Sequence, residues 1–131
     1  MEVKIATWNI NSLRLRQEQV YKFLNEEAPQ ILCLQECKCT DEQMPVKNYF
    51  DLGYNHFAIK GQKSYNGVAI ISKFPLTNIN YIDFCDNGDA RHISAKIFDK
   101  INIHNSYIPA GGDIPDRKIN KKFDHKLNYL K

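Results

Sequence analysis

No run of apolar residues in this chain approaches the roughly 18 that a membrane-spanning helix needs, so no membrane partner is expected. Met1-Glu2-Val3-Lys4 opens directly into a strand pattern, without the apolar core of a secretory signal, and the expected location is the cytoplasm. Cysteine is sparse as well. Of the four present, Cys33, Cys37 and Cys39 crowd together with gaps of three and one residue, and Cys85 stands alone. Those gaps differ from the paired two-residue spacing of zinc knuckles, and Cys33 falls inside an apolar run, so free thiols are expected. The four histidines include no pair at helical metal-ligand spacing, and His104 reads as a structural residue of a strand. Internal repeats, low-complexity tracts and linkers are absent.

What remains is the composition of one modest domain: 131 residues, 43% of them apolar, enough to bury a core. The net charge of +3 and pI near 8.6 permit a polyanionic partner without demanding one.

The pattern along the chain is α/β. Val3, Ile5 and Thr7 alternate with Lys4, Ala6 and Trp8, which predicts a first buried strand over 3–8. Val20, Phe23 and Leu24 share one helical face, and Pro29 stops that helix. Ile31-Leu32-Cys33-Leu34 predicts a second strand, reaching Glu36 and covered on both faces. A short helix or irregular turn is expected within 41–50. Strands are expected over 54–60 and 67–73, with the polar turn 61–66 between them, and a looser strand after Pro75. Two more, over 91–98 and 101–107, follow the turn at 86–89. A Pro/Gly loop over 109–115 leads into a last helix over 121–131, with Phe123, Leu127 and Leu130 at helical spacing. The sum is two helices and six or seven strands.

Two of these strands end on chemistry. Leu34-Gln35-Glu36-Cys37-Lys38 closes an apolar run with a carboxylate, and Thr7-Trp8-Asn9-Ile10-Asn11 closes another with an amide. Both groups offer oxygen to a hard cation such as magnesium, which usually needs only one or two protein carboxylates beside water and substrate phosphate. An asparagine after a strand is, by itself, more often a turn former. The other half of such a site is not visible between Met1 and Lys131.

Four segments carry a resemblance: 7–14 (Thr-Trp-Asn-Ile-Asn-Ser-Leu-Arg), 34–38, 61–69 (Gly-Gln-Lys-Ser-Tyr-Asn-Gly-Val-Ala) and 105–109 (Asn-Ser-Tyr-Ile-Pro). In this order and spacing the chain resembles the exodeoxyribonuclease III family, within the endonuclease/exonuclease/phosphatase superfamily. Residues 1–131 match the amino-terminal half of its single domain. The resemblance implies part of a four-layered αββα sandwich, apparently truncated, with the active site at one edge of the sheets. It implies that Glu36 binds magnesium, or manganese in its place, that Asn9 orders metal and scissile phosphate as a catalytic residue, and that the Tyr107 hydroxyl sits beside the phosphate. Lys63, Tyr65 and Asn66 match a loop that approaches the DNA backbone, and Arg91 and Lys38 are assigned to DNA binding in the same way.

The implied reaction is magnesium-dependent phosphodiester hydrolysis of double-stranded DNA, 5′ to abasic sites and at 3′ ends, in the bacterial cytosol at the nucleoid. Ala110 departs from the pattern, since several relatives carry an amide there. The family's Gly-Asp-x-Asn and Ser-Asp-His motifs do not occur in the chain. Asp124-His125 is not a substitute, because it falls in a helical pattern instead of at a strand end. The complete protein is expected to be a monomer, and the 131 residues alone to be inactive and prone to self-association through uncovered edges. The alternative is a truncated, non-catalytic remnant. Phosphoinositide phosphatases and sphingomyelinases of the superfamily would share the glutamate without the 62–69 run, and a purely DNA-holding role would show steep salt dependence.

Overall fold

The computed structural model describes residues 2–131. Its first strand, β1 (Ile5–Asn9), is followed by helix α1 (Gln17–Glu27) and strand β2 (Ile31–Gln35). α1 buries Val20 and Leu24, and ends where Ala28 turns left-handed and donates its N–H to the Leu24 carbonyl, just before Pro29. A 3₁₀ turn (Asp41–Gln43) and the one-turn helix α2 (Lys47–Phe50) occupy 41–50, where a short helix or irregular turn is expected. The hairpin β3 (His56–Lys60) and β4 (Val68–Ser72) completes a four-stranded sheet in the order β1-β2-β4-β3. β1 and β2 are parallel, and the remaining pairs are antiparallel.

A second, antiparallel sheet is built from β5 (Thr77–Asn80), β6 (His92–Ile97) and β7 (Ile101–Ser106). Helix α3 (Lys121–Leu130) follows and leans on the end of this sheet, where the Tyr129 ring meets Phe84 edge-on and its hydroxyl donates to the Arg91 carbonyl. These layers form part of a four-layered αββα sandwich.

The continuous apolar run of β2 is explained by this layering. Leu32 and Leu34 point to the helix side, where they join Val20, Leu24, Tyr49 and Tyr54, while Ile31 and Cys33 point to the other sheet and join Ile70, Ile93, Ala95 and Ile97. A strand between two hydrophobic layers has no polar face.

The expectation that β1 is equally buried fails. Ile5 is 50% exposed, and the strand has no fully buried residue. The reason is positional: the second sheet packs on β2, β3 and β4, so β1 extends past it as an edge strand. Its Ala6 and Trp8 still pack toward α1, with Trp8 edge-on to Phe23. Strand ends elsewhere move by one or two residues. The four cysteines are free thiols, as expected, and three of them are buried. No helix of the described residues is long and apolar enough to cross a membrane.

Asn120 organises the last part of the chain. Its side-chain oxygen accepts from the Lys122 and Phe123 N–H groups and so caps α3, while its amide donates to the Gly111 and Ile114 carbonyls at 3.0 and 2.7 Å. Asn120→Ala is expected to lower stability by about 1–2 kcal/mol, a typical cap loss, and to loosen the loop before α3. A urea melt together with amide exchange at Lys122 and Phe123, whose N–H groups the Asn120 side chain holds, and over 111–120 checks both effects.

Candidate active site

Parallel pairing sets the carboxyl ends of β1 and β2 side by side, with Asn9 opposite Gln35. The chain then continues the pairing beyond the strands: Ile10 and Ser12 donate backbone N–H bonds to the carbonyls of Gln35 and Glu36. Cys37 and Lys38 in turn donate to Gly67 and Asn66, which draws the 61–66 loop against the same edge. At Gly61 a Cβ would come within 2.5 Å of the Cys39 carbonyl oxygen, so only glycine allows this close approach.

Glu36 was expected as the last residue of a strand. Instead the strand ends at Gln35, and Glu36 is left-handed at φ 54°, as are Asn11, Ser12 and Lys38 around it. A non-glycine residue there costs on the order of 1–3 kcal/mol and persists only where its surroundings over-determine it. The backbone bonds just described do so, and the turn aims the carboxylate off the sheet toward the neighbouring residues.

Asn9 Nδ2 donates to Glu36 Oε1 at 3.0 Å, and Lys38 Nζ lies 3.5 Å from Oε2 while donating to Asn11 Oδ1 at 2.6 Å. Tyr107, just after β7, turns its hydroxyl toward the same carboxylate. Partial burial by itself would raise the Glu36 pKa, but the Asn9 and Tyr107 side chains and the Lys38 ammonium outweigh it and hold the carboxyl below its ordinary range. Burial and then Glu36 push the Tyr107 phenol up, so it stays a proton donor.

Tyr107 belongs to the second sheet, and a buried polar bridge brings it to the first. Gln35 Nε2 donates to Asn105 Oδ1 at 2.7 Å and to Thr7 Oγ1 at 2.9 Å; Asn105 Nδ2 donates to the Leu34 and Ala69 carbonyls at 2.9 Å each. The residue before Glu36 is thereby joined to the residue two before Tyr107. Sequence reasoning assigned neither amide a role. The available signal was periodicity: Gln35 shares a strand face with Ile31 and Cys33, and Asn105 shares one with Ile103, so both polar groups point inward.

Arg91 is not a free loop cation. Its guanidinium stacks over the Tyr107 ring at 4.7 Å from the centroid, donates to the Tyr107 carbonyl at 3.2 Å and pairs with Asp89 at 3.4 Å. Lys63 and Tyr65 are exposed, Tyr65 by 70%, whereas the Asn66 amide is tied to Gln62 Oε1 at 3.1 Å. Asp124 and His125 lie on α3, as their pattern indicated, and Asp124 pairs with Arg117 at 2.8 Å.

The model of the endonuclease/exonuclease/phosphatase family matches residues 6–127. The chain belongs to this family. Among its relatives, exodeoxyribonuclease III of Haemophilus influenzae is 35% identical over 114 residues, covering 83% of this chain and 42% of that protein. In a solved structure, the 3′ phosphatase NExo from Neisseria bound to a product DNA hairpin superposes with TM-score 0.86 at 32% identity, over 98% of this chain and 49% of its own. An AP endonuclease from Archaeoglobus fulgidus follows at TM-score 0.84 and 34% identity, over 98% and 48%. The chain therefore spans about half the length of the family members it matches. Those members are named an exodeoxyribonuclease, a 3′ phosphatase and an AP endonuclease, and about half of each solved structure superposes on the layers described above.

Proposed function

We propose that this chain is the amino-terminal half of a single-domain, magnesium-dependent DNA phosphodiesterase of exodeoxyribonuclease III type, acting at abasic sites and 3′ ends of double-stranded DNA in the bacterial cytosol. The observation that carries this reading is the convergence of an ionised Glu36, the Asn9 amide and the Tyr107 hydroxyl at one end of the sandwich.

The donor set suits magnesium. Asn9 spends its N–H on Glu36 and leaves Oδ1 as a second hard oxygen beside the carboxylate, and magnesium takes few protein ligands. Glu36 and Asn9 would hold it, with manganese as an alternative, and once bound it would supply Lewis-acid polarisation of a phosphoryl oxygen.

The chain's own residues do the rest. The Tyr107 phenol donates a hydrogen bond to an oxygen on which charge develops, and such preorganised donors act most strongly in a site of low dielectric. Arg91 fixes the ring face and the backbone of Tyr107, so that the hydroxyl is aimed without a search. Lys63 contacts strand phosphates, which positions DNA without reading its sequence, and Tyr65 offers an exposed ring to the sugar or base. Asn66 shapes that loop through Gln62, and Lys38 offsets charge beside Glu36.

Tyr107→Phe tests the reading. When the chain is completed with the carboxy-terminal half of an exodeoxyribonuclease III, the substitution is expected to lower kcat about 10²-fold with KM nearly unchanged, the size of losing one oxyanion donor. A collapse of DNA binding instead would make the tyrosine structural. The 131-residue chain alone is expected to show no turnover with or without magnesium, and incision by a preparation free of host nucleases would overturn that.

A further inference from the structure

Beside Tyr107, the loop after β7 and helix α3 line a surface cleft of about 230 Å³. Arg91, Tyr107, Pro109 and Ala110 line it together with Lys122 and His125, which belong to α3. No carboxylate lines it. The nearest acid on the helix, Asp124, is drawn off by Arg117 and Asn128, and Asp89 pairs with Arg91 outside the lining. Lys122 is exposed and has no ion-pair partner among the described residues.

A concave site with unpaired positive charge and low-dielectric walls concentrates anions. Its size narrows the ligand, because pockets for drug-sized molecules start near 300 Å³. At about 30 Å³ per water the cleft holds only seven or eight, room for a phosphate and its sugar. The walls are also preformed: Tyr129 ties α3 to the Arg91 carbonyl at 3.3 Å, and Asn120 ties it to Gly111 at 3.0 Å.

We propose that this cleft is a second phosphate subsite, taking the phosphate next along the DNA strand from the one at Tyr107, with Lys122 and His125 as its ligands. The shared Arg91–Tyr107 wall is what makes the two positions consecutive. This inference rests on the DNA reading above.

The test uses the chain completed with the carboxy-terminal half of an exodeoxyribonuclease III, held in chelator so that nothing is cut, and a fluorescent duplex with a recessed 3′ end, in versions that carry a neutral methylphosphonate at one linkage at a time. For the wild type, one linkage near the 3′ end is expected to cost about fivefold in affinity when neutralised, the scale of one phosphate contact. Lys122→Ala is expected to cost about the same, to lower the slope of log K against log salt by about 0.9, and to make that methylphosphonate silent. His125→Gln should move the same linkage, whereas Lys22→Ala, on α1, should leave the profile unchanged. Circular dichroism melts of the Lys122 variant should match the wild type, since the side chain is exposed.

If the wild type binds with a steep salt slope and Lys122→Ala alters neither slope nor profile, the subsite is wrong and the DNA reading stands. Absence of any DNA binding by the wild type overturns both. If inorganic phosphate displaces the duplex while every methylphosphonate behaves alike, the cleft holds a free anion and not a strand phosphate, which overturns the proposal.

Discussion

Glu36→Gln is expected to reduce magnesium-supported cleavage by the completed nuclease by at least about 100-fold while leaving DNA affinity nearly unchanged. Loss of a residue that only orients a metal ligand typically costs 10- to 100-fold, and a direct ligand should exceed that range. Glutamine keeps the shape and can still accept from Asn9 through its one oxygen, while the charge and the second acceptor, which faces Lys38, are lost. On the chain itself, manganese should broaden the NMR signals of Asn9 and Tyr107 in the wild type and not in the variant. Near-normal turnover would remove Glu36 from the metal site.

The same carboxylate sets a pH dependence. Its folded pKa lies below the ordinary glutamate value, so its contribution to stability is complete above that ordinary value and disappears as pH falls through the lowered one. The stability difference between wild type and Glu36→Gln should therefore be constant near neutrality and shrink in the acid range. Denaturant melts at a series of pH values measure it.

Asn105→Ala should be the most damaging single change outside the apolar core. It removes a side-chain donor from two buried carbonyls, Leu34 and Ala69, and one of the acceptors of Gln35 Nε2, which keeps Thr7 Oγ1. Each buried group left without a partner costs about 1–3 kcal/mol, so a loss of about 3 kcal/mol or more is expected from a total that is commonly 5–15. A shift of the urea midpoint gives the value. Asn105→Asp should be no better, since it keeps the acceptor but loses the amide donor and buries a charge. Pairing Asn105→Leu with Gln35→Met should recover part of the loss, because two mismatched polar ends then vanish together. A cost below about 1 kcal/mol for Asn105→Ala would mean that water replaces the bridge.

This bridge also links stability to the site. Gln35 precedes Glu36 and Asn105 stands two residues before Tyr107, so weakening the pair should separate the carboxylate from the phenol as well as destabilise the sandwich.

Local pattern carried much of the architecture. The double-sided burial of β2 follows from four consecutive apolar residues, the α1 face from Val20 and Leu24, and the hairpin of β3 and β4 from the polar 61–66 segment. Such features depend on neighbours in sequence, and periodicity reports them. Asn9, Glu36 and Tyr107 stood out as candidates because each falls at or just past the end of a strand within a recognisable segment.

Other features depend on residues far apart in the chain. Whether β1 is covered depends on how far the second sheet extends, which no property of residues 3–8 encodes. The left-handed turn at Glu36 is held by bonds from Ser12 and by its neighbours' bonds to the 66–67 loop. Arg91, assigned to DNA binding through the resemblance, is instead seen stacked on Tyr107, 16 residues on, a contact that its local sequence does not encode.

The sequence by itself determined the α/β class, through short-range pattern, and the family, through four segments in the family's order, and with the family it named the candidate side chains. Only the tertiary structure decided which of those side chains meet and in what ionisation state. That outcome rests on the Gln35–Asn105 bridge between the two sheets, a contact across 70 residues whose formation depends on the packing of everything between them.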